Sequence, residues 1–293
     1  MIQHKGGAGK TIMVKLGFHL SISKGFAAVP EKAVELGCTT FQIFSRNPRG
    51  WESAPLKEDD VADFIKKVDQ YELHPFLIHM PYLPNFASED KSLYKRSVQS
   101  LIEECDRAAK LKADYINIHM GRKITKSIDS AFQRVENAVN TALEKGSSSA
   151  MILLENTAGQ GTEVGVTFEE IKRVTDNINY KKRVGVCLDT AHLFGAGYDL
   201  RNKKAVEETI KTFDKIVGLK YLKAIHYNDS NSKLNSHVDR HQHIGKGEIG
   251  AEGMNAIINC KLIDHVPFIM ETPMKNPGED LENIKTAKSY LKQ

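Results

Sequence analysis

Met151-Ile152-Leu153-Leu154-Glu155-Asn156, then residues 168–178 with apolar side chains at helical spacing, then Val184-Gly185-Val186-Cys187-Leu188-Asp189: this stretch decides the fold. Both apolar runs are continuous rather than alternating, the pattern of a parallel strand covered on both faces. A strand, a helix and a second strand make one βα repeat, and working outward the repeat recurs. VKLGFH (14–19), TFQIF (40–44), PFLIHM (75–80) and YINIHM (115–120) precede it, and LKAIHY (222–227) and PFIMET (267–272) follow. Helical spacing falls between them at 57–71, 91–112, 128–145, 203–217 and 279–292, with shorter, weaker patterns from Ala27 to Leu36 and Glu252 to Asn259. Eight strand-helix units in 293 residues predict an α/β fold, a (β/α)8 TIM barrel. The rival, an open doubly wound sheet, usually carries a glycine-rich first turn, whereas here the first strand runs into Phe18-His19-Leu20-Ser21.

With 41% hydrophobic and 27% charged residues, the chain can bury a large core and is too apolar to be disordered. No run approaches the roughly 18 apolar residues of a membrane span, and the start, MIQHKGGAGKT, lacks the apolar stretch of a secretory signal. An intracellular protein without a membrane partner is expected. Cys38, Cys105, Cys187 and Cys260 are widely separated with no CxxC pair, so any metal must be held by histidine and carboxylate. The net charge of +4 permits nucleic acid as a partner without arguing for it. No composition break divides the chain, which reads as a flexible extension over 1–11 and a single barrel domain over 12–293. Within the extension, Lys5-Gly6-Gly7-Ala8-Gly9-Lys10-Thr11 matches by letters the phosphate loop of partitioning-type ATPases. Such a loop needs a strand before it and a helix after it. Four preceding residues cannot form that strand, and Ile12-Met13-Val14 leads into a strand, so this reading is set aside.

In a barrel, the C-terminal ends of the strands converge on one mouth. His19, His79, His119, Glu155, Asp189, His226 and Glu271 fall at the ends of seven of the eight runs. His192 follows Asp189 by three residues, and Asp239 and His241 come from the loop after the seventh run. A single histidine at a strand end is usually a hydrogen-bonded rim residue. A whole set of imidazoles and carboxylates is a donor set for zinc, manganese or iron. These candidates outnumber the roughly four ligands of one zinc, and carboxylates can bridge, so two or three neighbouring ions are expected. Clustered dications stabilise both the attacking and the leaving oxygens of a phosphoryl transfer, which makes phosphodiester hydrolysis the leading chemistry. Two other readings stay open: a divalent-metal sugar isomerase or epimerase on a similar barrel, and a non-catalytic DNA-lesion-binding protein with structural metals.

The segments Glu155-Asn156-Thr157-Ala158-Gly159-Gln160-Gly161, Val186-Cys187-Leu188-Asp189-Thr190-Ala191-His192, His226-Tyr227-Asn228-Asp229 and Val238-Asp239-Arg240-His241-Gln242-His243-Ile244-Gly245 resemble those of the endonuclease IV family. These are the zinc-dependent apurinic/apyrimidinic endonucleases of base excision repair, and the resemblance runs from about Leu16 to the C-terminus. It implies three Zn2+ ions, with Mn2+ or Fe as alternatives at some positions. The first would be held by His79, His119 and Glu155. Glu155 would bridge to a second, held also by Asp189, His226 and Glu271; His192, Asp239 and His241 would hold the third. The implied activity is hydrolysis of double-stranded DNA 5′ to an abasic site, leaving a 3′-hydroxyl and a 5′-deoxyribose phosphate, with trimming of blocked 3′ ends; a monomer is expected. Arg49, in Ser45-Arg46-Asn47-Pro48-Arg49-Gly50-Trp51, and Tyr82 and Leu83, after the third run, resemble the residues that the family inserts at the lesion. An apolar wedge compensates lost stacking there. His19 corresponds to a supporting residue. The sequence departs from the family at Met80, where some members carry an aspartate beside the first ligand. It departs again at Gly121-Arg122-Lys123, where familiar members read Pro-Gly-Ser-His after the fourth-strand histidine. Asp229 reads equally as a structural carboxylate or as one that orients a neighbouring histidine.

Overall fold

The computed structural model describes residues 14–124 and 127–291. The 1–11 extension and its phosphate-loop-like letters lie outside the described residues. In chain order the strands are β1 (Leu16–Leu20), β2 (Thr40–Phe44), β3 (Leu77–His79), β4 (Tyr115–His119), β5 (Met151–Glu155), β6 (Val184–Asp189), β7 (Leu222–His226), β8 (Asp229–Ser230), β9 (His241–Gln242) and β10 (Phe268–Met270). Eight of them close into one barrel in the order β1-β10-β7-β6-β5-β4-β3-β2, every neighbouring pair parallel, as the eight apolar runs predict. The helices are α1 (Val29–Glu35), α2 (Glu58–Gln70), α3 (Lys91–Leu111), α4 (Ile128–Lys145), α5 (Phe168–Asn177), α6 (Thr190–Gly195), α7 (Lys203–Ile216), α8 (Gly250–Ile258) and α9 (Glu279–Tyr290). Five of them start on a side chain that caps the first turn: Asp90 for α3, Ser127 for α4, Thr167 for α5, Asp189 for α6 and Asn202 for α7.

Two layers of packing position the mouth. Outside the strands, Phe41, Phe64, Phe76, Phe168 and Phe213 are fully buried beneath the helices. Inside the barrel, Leu77, Leu153, Cys187, Ala224 and Ile269 form a separate apolar plug. Side chains along a strand alternate with period two, so the residue two places beyond each plug residue also points inward. Those residues are His79, Glu155, Asp189, His226 and Glu271. The register levels them: His119 lies opposite Glu155, and Asp189 opposite His226. The plug is therefore the floor on which a layer of imidazoles and carboxylates stands.

Two elements go beyond the sequence reading. Helix α6 follows Asp189 directly and is too short for periodicity to reveal; Asp189 caps it, accepting from His192 N at 2.8 Å. The loop after β7 folds into an antiparallel ribbon of β8 and β9. Glu271 also lies one residue past its strand rather than within it.

At the other end of the barrel, His74 places Nδ1 2.7 Å from Asp114 and Nε2 3.4 Å from Asp69. The hydrogen bond to Asp114 raises the imidazole pKa above its ordinary 6.5, against the pull of partial burial. Because the folded value exceeds the unfolded one, this stabilisation is fully present below about pH 6.5 and is lost as pH rises through the folded value. The loss of melting temperature caused by His74→Gln is accordingly expected to be larger near pH 6 than near pH 8.5. Equal losses at both values would show that the pair does not act through charge.

Candidate metal centre

Glu155, at the end of β5, is fully buried and stands at the centre of the mouth. Its Oε2 lies 3.3 Å from His79 Nε2 and 3.1 Å from His119 Nε2. Its Oε1 lies 3.1 Å from His226 Nδ1, with His192 Nδ1 at 3.3 Å. His226 Nδ1 is also 3.1 Å from Glu271 Oε2 and 3.9 Å from Asp189 Oδ2. Asp239 then spans two imidazoles, 3.3 Å from His192 Nε2 and 3.3 Å from His241 Nε2. The structure thus brings the nine residues named from the sequence into one connected cluster.

Within that cluster the donor atoms fall into sets with mutual separations of at most 4.8 Å. One is His79, His119 and Glu155; another is Glu155, Asp189, His226 and Glu271. A third joins Asp189, His192 and His241, and a fourth, His79, His226 and Glu271, overlaps the first two. The sequence reading put Asp239 in that third set. Asp239 faces both imidazoles but is more open to solvent than Asp189, His192 or His241, its side chain 39% exposed.

Four of the five imidazoles are oriented as metal ligands require, with one nitrogen tied to the protein and the other turned inward. His79 Nδ1 donates to the Met80 carbonyl at 2.7 Å, His192 Nδ1 to the Asn156 carbonyl at 2.9 Å, and His241 Nδ1 to the Glu271 carbonyl at 3.2 Å. His226 is held the opposite way round, Nε2 donating to Gln42 Oε1 at 2.9 Å and Nδ1 facing the acids. The nitrogen turned inward on His241, Nε2, is buried and has no hydrogen-bond partner. An orphaned lone pair between two carboxylates is costly in a dry protein and fits a cation. The Met80 departure leaves His79 well oriented, because the main-chain carbonyl, not the side chain, is the partner.

Several orienting residues escaped the sequence reading. Gln42 donates to Glu271 Oε1 at 2.7 Å and lies 3.0 Å from His19 Nδ1. Asn228 donates to Asp189 Oδ2 at 2.7 Å and accepts from Glu271 N at 2.7 Å. Asn117 donates to Glu155 Oε2, and Gln160 accepts from Asp239 N at 3.0 Å. Gln42 and Asn117 did leave a trace: each is a lone amide inside an apolar strand, where a polar side chain must have a partner. His19 sits 3.3 Å from Glu271, and burial lowers its pKa, so it stands neutral beside the cluster.

Burial disfavours charge on Glu155, but His119 and His226 outweigh it and hold the carboxyl well below its usual range. Glu271 behaves the same way, chiefly through His226. Conversely, burial would keep His192 neutral, yet Asp189 and Asp239 push its pKa well up. Each group stays charged only because an opposite charge sits next to it, so this mouth calls for positive charge, whether from protons or from metal ions.

The residues read as DNA contacts line the rim. Tyr82 and Leu83 are exposed despite their size, at 68% and 36%, and Arg49 is exposed on the neighbouring loop. Tyr82 N donates to Pro48 O at 3.2 Å, which ties the two loops together, and the Tyr82 ring meets Phe44 edge-on at 5.3 Å. In the departing segment after β4, Arg122 pairs with Glu163 at 3.0 Å. Asp229 touches none of the histidines; its carboxylate accepts backbone N–H groups, so of the two roles left open it takes the structural one.

A family model described as a xylose isomerase-like TIM barrel matches residues 30–293. A protein of Methanosphaerula palustris named probable endonuclease 4 is 42% identical over 279 residues, which cover 94% of this chain and 98% of that one. One of the same name from Nitrosopumilus maritimus is 39% identical over 279 residues, 94% of this chain and 100% of its own. Among solved structures, endonuclease IV from Thermus thermophilus superposes with a TM-score of 0.85 at 34% identity, covering 94% of this chain and 98% of that chain. A D-tagatose 3-epimerase-like protein reaches 0.69 at 21% identity over 94% of this chain and 96% of its own, a likeness of fold alone.

Proposed function

The chain belongs to the endonuclease IV family of DNA-repair nucleases, and from that membership we propose that it hydrolyses the phosphodiester 5′ to abasic sites in double-stranded DNA with a trinuclear zinc centre. The products would be a 3′-hydroxyl and a 5′-deoxyribose phosphate, and the same site would trim blocked 3′ ends. One observation carries this reading: the two oxygens of Glu155 face different imidazoles, Oε2 toward His79 and His119 and Oε1 toward His226. A carboxylate placed so can hold two ions at once.

His79, His119 and Glu155 would hold the first zinc, Glu155, Asp189, His226 and Glu271 the second, and His192, Asp239 and His241 the third. Bound zinc supplies Lewis acidity, ionising water near neutral pH and neutralising charge that develops on the phosphate. The chain's own residues do the rest. Gln42 and Asn228 fix Glu271 and Asp189, so that the acids do not turn away when DNA enters. Three protein ligands at the first position leave room for a water or a phosphate oxygen, as catalytic sites do and closed structural sites do not. Arg49, Tyr82 and Leu83 would fill the gap at the missing base, where the nucleotide resists displacement least because it has no pairing to lose. Among the described residues no helix is long and apolar enough to cross a membrane.

Purified protein is expected to carry about three equivalents of zinc. It should nick a duplex at a single abasic analogue, stop when chelator strips the metal, and recover when zinc returns. The nick should lie on the 5′ side and leave an end that a polymerase extends. Incision by verified metal-free protein, or a nick on the 3′ side, would overturn the reading.

A further inference from the structure

Residues 45–57, between β2 and α2, carry Arg49 and have few bonds of their own: Arg49 N to Asn47 Oδ1 at 3.0 Å and Gly50 N to Asn47 O at 3.3 Å. Their shape is imposed from α3. Arg46, only 4% exposed, uses all five of its N–H donors. Nε reaches Glu104 Oε2 at 3.0 Å; Nη1 reaches Glu103 Oε2 at 3.2 Å and Trp51 O at 3.5 Å; Nη2 reaches Ser100 O and Oγ, both at 2.8 Å. Arg107 works from the other side, Nε donating to Ser45 Oγ at 2.7 Å, Nη1 to Ala54 O at 2.9 Å and Nη2 to Ser45 O. Ser45 Oγ in turn donates to Glu104 Oε1. Glu104 is fully buried, and the Arg96 guanidinium covers the Trp51 ring at 4.4 Å.

Burying Arg46 and Glu104, with Arg107 half-buried beside them, is a poor way to gain stability, since desolvation offsets most of their attraction, and apolar packing would close the same gap. What such a cluster does supply is a fixed geometry. Three loop carbonyls, of Ser45, Trp51 and Ala54, are pinned by two planar forks that lysine could not replace. Through the bond from Tyr82 N to Pro48 O, the pinned loop also sets the loop that carries Tyr82 and Leu83.

We infer that Glu104, Arg46 and Arg107 are positioning residues that hold the Arg49 and Tyr82 loops in their lesion-reading arrangement before DNA arrives. This rests on the abasic-site reading above. Pre-ordering spares the loops the entropy of being ordered on binding, so the cluster should govern affinity for the lesion rather than the chemical step.

The test uses the zinc-loaded full chain and its Glu104→Gln variant on an abasic-analogue duplex. KM is expected to rise about tenfold while kcat stays within about twofold. In an Arg49→Ala background the same change should add little, because both act through one loop. An unchanged KM, a fall in kcat alone, or a full tenfold loss on top of Arg49→Ala would each overturn the inference. Should Glu104→Gln not fold, Arg107→Gln carries the same test, since it frees the Ser45 and Ala54 carbonyls and leaves the Arg46–Glu104 pair in place. Hydrogen exchange of residues 45–54 reads the clamp without DNA: it should quicken in either variant, and unchanged exchange would refute the clamp. If wild-type protein fails to nick the abasic duplex while exchange quickens as expected, the abasic-site reading falls and the clamp stands.

Discussion

Replacing Glu155 by glutamine is expected to slow abasic-site incision by about a thousandfold or more, although the two side chains have the same shape. The carboxylate meets imidazoles through both oxygens, Oε2 toward His79 and His119 and Oε1 toward His226. An amide keeps one acceptor. Asn117 Nδ2 donates to Oε2 and so selects which one, because an NH2 group placed there would face another donor. The amide oxygen therefore takes the Oε2 position and the NH2 group turns toward His226 Nδ1. That keeps the first set of ligands and spoils the second, so zinc content should fall by about one equivalent rather than to zero. The barrel should hold, since the plug beneath is untouched. Single-turnover nicking, elemental analysis and circular dichroism check the three statements. Near-normal incision by a folded Glu155→Gln protein would end the bridging model, and loss of all metal would show that the sets are not separable.

The sequence exposed the barrel because a parallel strand buried on both faces leaves a mark that needs no partner to be read: a continuous apolar run. The candidate acids and imidazoles were legible because they stand at the C-terminal ends of those runs, which a barrel gathers at one mouth; the structure adds that period two sets Glu155 and Asp189 above Leu153 and Cys187. Membership of the individual sets was not. No spacing says that Glu271, after β10, meets Gln42 on β2 and His226 on β7, since that meeting depends on how the strands close. Which acids Gln42 and Asn117 bond depends on the same closure. Helix α6 left no periodic trace because six residues make fewer than two turns. The division of donors into three zinc sites came from the family resemblance, and at the third of them the geometry adds Asp189, a residue that the resemblance had assigned elsewhere.

Asp229 was the residue on which the sequence could not decide, and its replacement by alanine is expected to cost about 3 to 5 kcal/mol of folding stability, in the upper tail for single substitutions. The carboxylate is fully buried. Its Oδ1 accepts from Ser230 N at 2.8 Å, Ile249 N at 3.1 Å and Gly250 N at 3.4 Å, and its Oδ2 from Gly247 N at 2.9 Å. Helix α8 begins at Gly250 without a side-chain cap of its own, so an anion supplied from β8 takes the place of the missing cap. The segment fits only because residue 247 is glycine: a Cβ there would lie 2.3 Å from Ser230 O and 2.5 Å from Asp229 Oδ1. Alanine at 229 strands four N–H groups at once, whereas asparagine, with its oxygen in the Oδ1 position, keeps three bonds and should cost about 1 to 2 kcal/mol. At roughly 2 to 3 °C per kcal/mol for a domain of this size, melting should fall by about 10 °C for Asp229→Ala and by less than half that for Asp229→Asn. Because Asp229 contacts none of the nine clustered donors, zinc content and incision at 25 °C should match wild type in both. The opposite pattern, an unchanged melting temperature with loss of one zinc equivalent, would move Asp229 from the scaffold into the metal centre and require its ligand sets to be redrawn.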